Sequence, residues 1–135
     1  MFSGKGEKFL KMDELSAQKV PFFFITDFLC ENVEVYTEKE ISEKGLLIDF
    51  EIFSNVKTPE AAEKEISWNT FPESLEDFKK GFETVQENIR RGNSYLTNYT
   101  RKTRIETNFS LEAIFHQSEA KYKVLYPDKF VFFSP

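Results

Sequence analysis

Ser74-Leu-Glu-Asp-Phe-Lys-Lys-Gly-Phe-Glu-Thr-Val-Gln-Glu-Asn-Ile-Arg-Arg-Gly92 is the stretch from which the rest of the chain can be placed. Leu75, Phe78, Phe82, Val85 and Ile89 recur at spacings of three and four, which lays one apolar stripe along an α-helix. Ser74 has the chemistry of an N-cap, and Glu76 and Asp77 place negative charge in the first turn. Arg90 and Arg91 close the last turn, and Gly92 supplies a left-handed stop. Ser94 to Ile105 then reads as a strand, with Tyr95, Thr97, Tyr99 and Arg101 on one face and Leu96, Asn98, Thr100 and Lys102 on the other.

Outward from this helix the pattern is mostly that of strands. Upstream, a polar lead-in with a short helix near Lys8 to Ser16 precedes Pro21-Phe-Phe-Phe-Ile-Thr-Asp-Phe28. That continuous apolar run suggests a strand covered on both faces. In Leu46 to Phe53, Ile48, Phe50 and Ile52 alternate with Asp49 and Glu51, as in a strand with one wet face, and the two runs are expected to pair. Residues 54–72, with Pro59 and Pro72, read as a charged connector. Downstream, Asn108-Phe-Ser110 caps a short helix with Leu111, Ile114 and Phe115 turned inward. Lys121 to Tyr126 and Lys129 to Phe133 form a hairpin about Pro127-Asp128. The expected class is α+β, a mainly antiparallel sheet with a long amphipathic helix, divided into residues 1–72 and 73–135.

Composition narrows the chemistry. The 135 residues include 16 Phe, five Tyr and one Trp, so a large apolar area needs cover. Cys30 is the single cysteine and His116 the single histidine, which excludes disulfides, thiolate metal clusters and histidine-rich zinc sites within the chain. Residues 1–16 have no signal-peptide core, and Val20 to Leu29 is too short to span a bilayer, so a reducing cytoplasm is the expected compartment. Asp27 to Glu65 holds eleven acidic and four basic residues, whereas Ile89 to Arg104 holds five basic residues and no acidic one. The basic stretch suits a small anion or a charge-defended strand edge, and the net charge of −5 opposes nucleic acid. Phe130-Val-Phe-Phe133 leaves no room for polar alternation, and its aromatic edge wants a further strand. The expectation is a chain that stops early, the front part of a larger protein, able to self-associate through that edge.

Phe78 to Thr100 resembles the segment that opens the chorismate-binding domain of aminodeoxychorismate synthase component I, the large subunit of para-aminobenzoate synthase. That family, with anthranilate synthase component I, carries a helix ending in glycine followed by a strand of the form Gly-Asp-x-Tyr-Gln-x-Asn-Leu-Thr. Gly92, Tyr95, Asn98 and Thr100 match, while Asn93 stands for the Asp and Leu96 for the Gln. The closing Phe-x-x-Phe-Ser-Pro135 also fits, and the resemblance covers roughly residues 76–135; residues 20–53 match only loosely. It implies an incomplete anthranilate synthase component I-like αβ sandwich and the amination of chorismate at C4 in folate biosynthesis. It also implies Mg2+ in the complete enzyme, and chorismate and a glutamine amidotransferase subunit as partners. The family's metal-binding glutamates and catalytic lysine have no counterpart in this chain, so no catalytic or metal residue, no bound cofactor and no activity are expected of it alone. Tyr95 and Asn98 are the candidate substrate-binding residues, with Arg101 and Arg104 able to steer an anion. The alternative is a non-catalytic small-ligand binding or interaction module.

Overall fold

The computed structural model describes residues 5–57, 65 and 67–134. Among them are four helices and three antiparallel sheets, an α+β architecture. Contacts divide the chain into two units, residues 1–61 with 110–135, and residues 62–109.

The first unit begins with helix α1 (Lys5–Ala17). Its end is a Schellman turn, with Val20 N–H donating to Leu15 O (2.9 Å) and Lys19 N–H to Ser16 O (3.0 Å). Lys19 occupies the left-handed position there, at φ 57°. Strand β1 (Phe22–Thr26) pairs with β2 (Val33–Thr37) in a hairpin of its own. Thr37 then caps α2 (Glu38–Glu43) through a capping box with Glu40. Gly45, at φ 66°, ends α2 in a second Schellman turn, in which Leu46 N–H reaches Ile41 O (3.1 Å).

The main sheet has the order β4-β3-β7-β8, from β3 (Leu47–Phe50), β4 (Phe53–Ser54), β7 (Tyr122–Tyr126) and β8 (Phe130–Ser134). Ile48 lies opposite Val124 and Phe132 opposite the same residue on the other side. Asp128 takes φ 59° in the β7–β8 turn, which Lys129 N–H to Tyr126 O closes at 3.1 Å. Helix α4 (Leu111–Gln117), capped by Ser110, lays the fully buried Phe115 against β7 and β8. The main core cluster is Tyr36, Ile41, Leu46, Ile48 and Tyr126, with Phe23, Phe50, Phe53 and Phe130 packed on it. Burying a side chain such as Leu46 or Ile48 completely contributes about 1.5–3 kcal/mol.

The second unit pairs β5 (Trp68–Phe71) with β6 (Arg104–Thr107) and carries α3 (Leu75–Arg90). Ser74 Oγ accepts from Asp77 N–H (3.1 Å), and Gly92, at φ 77°, ends α3 as its sequence requires. No residue of α3 is buried.

Several expectations are corrected. The run 21–28 does not pair with 46–53: β1 takes β2 instead, a strand that buries Val33 and Val35 on one face and Tyr36 on the other. β1 is only half-buried, with Phe24 49% exposed, so it is not covered on both faces. Leu46 to Phe53 is broken after Phe50 by a tight turn that leaves Ile52 94% exposed. The connector contains β5, while residues 58–64 lie outside the described ones. The long strand from Ser94 is irregular until Arg104. Ser94 Oγ donates to Leu96 O (2.9 Å), and Thr97 Oγ1 donates to Ser94 Oγ (3.1 Å). Such local bonds compete with a β-ladder. Among the described residues, no helix is long and apolar enough to cross a membrane.

Candidate functional site: an uncovered apolar cleft

Tyr95 and Asn98, the two candidate substrate-binding residues, lie on the irregular segment before β6. Tyr95 is 94% exposed and Asn98 is exposed as well. Tyr99, between them and the arginines, instead packs inward. Its ring centroid lies 5.4 Å from that of Phe78, and a Cβ on Gly81 would fall 1.8 Å from its hydroxyl. Only glycine at position 81 admits the tyrosine in that pose.

The two arginines are locally compensated. Arg101 pairs with Glu73 and its guanidinium lies 5.9 Å from the Tyr99 ring centroid; the Glu73 hydrogen bond raises its pKa further. Arg104 pairs with Glu106 and stacks 5.2 Å over Phe71. Arg90 and Arg91 pair with Glu87 at the end of α3, so four of the five basic residues have acidic partners and only Arg104 lies on a strand.

Cys30 and His116 do not meet. Cys30 sits in the tight turn between β1 and β2 at φ 53°, its N–H donating to Asp27 O (3.0 Å). His116 lies on α4 beside Phe115, with Glu112 4.0 Å away. Among the described residues no group of three His, Cys, Asp or Glu side chains is placed to hold a metal ion.

The first unit does carry a cleft of about 530 Å³. β1 supplies Phe22, Phe23 and Phe24, the buried Ile41 and Ile48 come from α2 and β3, and Phe50, Ile52 and Phe53 complete the wall. Glu38 is the single charged residue lining it. This surface suits apolar contact and offers no arrangement for acid–base or nucleophilic chemistry. The run Pro21 to Phe24 was its signal in the sequence, although that run reads equally well as an ordinary buried strand.

No protein-family model matches the chain. No solved structure matches it either. The chain is 37% identical over 124 residues to an uncharacterized PabA-like protein of Pasteurella multocida, covering 91% of this chain and 38% of that protein. It is 36% identical over 118 residues to an uncharacterized PabA-like protein of Haemophilus influenzae, covering 87% of this chain and 36% of that protein. The chain thus spans a little over a third of the length of the curated relatives it matches. PabA is the glutamine amidotransferase subunit and not component I. These names overturn the component I assignment, and with it the chorismate-binding role it implied. The structure removes one of its supports as well, because Tyr95-x-x-Asn98 lies on no strand.

Proposed function

We propose that this chain is a non-catalytic docking module that holds a polypeptide partner in its phenylalanine-lined cleft and along the free edge of β8. The cleft carries the reading. Its Phe24 and Ile52 are 49% and 94% exposed, apolar surface that a strand or helix laid across the cleft would cover. β8 adds a second surface. It ends the main sheet, and Phe130-Val-Phe-Phe-Ser134 has neither charge nor proline to defend the edge. Self-association through Phe130–Phe133 is the same device applied to a second copy.

The relatives' names suggest the setting, a PabA-like amidotransferase assembly. About three-fifths of each relative lies outside the matched stretch, a portion large enough to hold the catalytic groups. Thiol-dependent amide hydrolysis needs a cysteine and a base within hydrogen-bond reach, which Cys30 and His116 do not provide. Catalysis on this reading belongs to the partner.

The test is co-expression of the chain with the unmatched portion of the Pasteurella relative, followed by size-exclusion chromatography with light scattering. A 1:1 complex that Phe24→Glu and Ile52→Glu weaken, with the chain's own melting temperature unchanged, supports docking. Absence of a complex, or a complex indifferent to both substitutions, refutes it.

A further inference from the structure

A second cleft in the first unit, about 600 Å³, is polar and is lined by residues far apart in sequence. Lys8 and Lys11 come from α1, Glu34 and Tyr36 from β2, Glu40, Glu43 and Lys44 from α2 and its cap, and Tyr126 and Lys129 from the β7–β8 hairpin. In a chain of net charge −5, this cleft gathers four lysines against three glutamates.

The glutamates are already engaged. Glu40 accepts from Lys11 Nζ (2.8 and 3.0 Å) and from Thr37 N–H (2.7 Å). Glu43 faces Lys39 at 3.7 Å. Glu34 Oε2 accepts from the Tyr36 hydroxyl and from the Tyr126 hydroxyl (2.9 Å), and the two phenol oxygens lie 3.2 Å apart. Both tyrosines are buried, so this trio forms a fixed floor. The Tyr36 hydrogen bond holds Glu34 below the usual carboxylate range, and burial, followed by the bond to Glu34, raises Tyr36. At neutral pH Glu34 is therefore a carboxylate and Tyr36 keeps its proton.

The lysines are not all engaged. Lys11 is committed to Glu40 and to Val35 O (3.1 Å). Lys129 lies 4.0 Å over the Tyr126 ring and only loosely, at 3.9 Å, from Glu34 Oε1. Lys8 and Lys44 form no ion pair among the described residues, although Lys44 is near enough to Glu34 to lower its pKa. The ammonium groups of Lys8, Lys44 and Lys129, from three separate elements, thus face the single carboxylate of Glu34, and the concavity keeps an excess of positive charge.

We propose that this cleft binds a small oxyanion, a carboxylate or a phosphate, held by the ammonium groups of Lys8, Lys44 and Lys129 above the Tyr36–Glu34–Tyr126 floor. The site is distinct from the apolar cleft and independent of its partner. The experiment titrates the full chain at low ionic strength and pH 7 with inorganic phosphate in one arm and succinate in the other, followed by calorimetry and amide chemical shifts. Saturable binding is expected, weakened about five-fold by Lys44→Gln and again by Lys8→Gln, the worth of one solvated charge at about 4 Å. Lys79→Gln on α3 leaves it unchanged, and added salt weakens it. The tighter arm identifies the class of anion. Neither lysine has a structural ion-pair partner, so the variants should melt as the parent does. No saturable binding in either arm, or an unaltered affinity in the Lys8→Gln/Lys44→Gln double variant, overturns the proposal.

Discussion

Glu40→Gln isolates one charge within the α2 capping box. Glutamine keeps an oxygen for the Thr37 N–H, so the cap survives, but the ion pair with Lys11 (2.8 Å) is lost. The Lys11 hydrogen bond first, and then the Thr37 backbone and hydroxyl bonds, lower Glu40 from the ordinary 4.5 to about 2. Taken at face value, such a drop corresponds to a little over 3 kcal/mol. Solvent reaches 40% of the Glu40 side chain and 32% of Lys11, which screens the pair and leaves about 1 kcal/mol. Because the folded-state pKa is depressed, this stability is fully present above 4.5 and is lost as pH falls from 4.5 through about 2. Urea unfolding at pH 7 should place the Glu40→Gln midpoint about 0.5 M below the parent, for a slope of about 2 kcal/mol/M. The gap should narrow steadily as the pH is lowered from 4.5 toward 2. Equal midpoints at pH 7, or a gap undiminished near pH 2, would refute the reasoning.

Two further substitutions probe backbone conformation and close packing. Lys19→Gly relieves a lysine at φ 57° in the Schellman turn after α1 and should raise stability by about 0.5–1 kcal/mol, read from a thermal or urea melt. Gly81→Ala improves the helix propensity of α3 by about 1 kcal/mol, yet its Cβ would sit 1.8 Å from the Tyr99 hydroxyl. The single variant should therefore displace Tyr99, seen as shifts in its ring resonances and those of Phe78. Gly81→Ala in a Tyr99→Ala background should recover the propensity gain.

The sequence by itself determined the elements whose signals lie within a few residues of one another. Ser74 and Gly92 bound α3, Ser110 begins α4, and Pro127-Asp128 turns β7 into β8, because caps and turns are satisfied locally. α2 was missed, although Thr37-x-x-Glu40, a capping-box pattern, was a local signal for it. Strand partners were not legible, because an alternating or apolar run carries no information about which edge it meets. Leu47 meets Leu125 and Phe24 meets Val35, whereas residues 21–28 were expected to pair with 46–53. The candidate site divides along the same line. The apolar cleft begins in the visible run Pro21 to Phe24, but its openness depends on how β1, α2 and β3 pack. Lys8, Glu34, Lys44 and Tyr126 have no sequence relation at all; the tertiary structure gathers them, because hydrogen bonding and charge compensation depend on distance in space. Tyr95 and Asn98 show the converse, a motif whose expected strand local side-chain hydrogen bonds displaced.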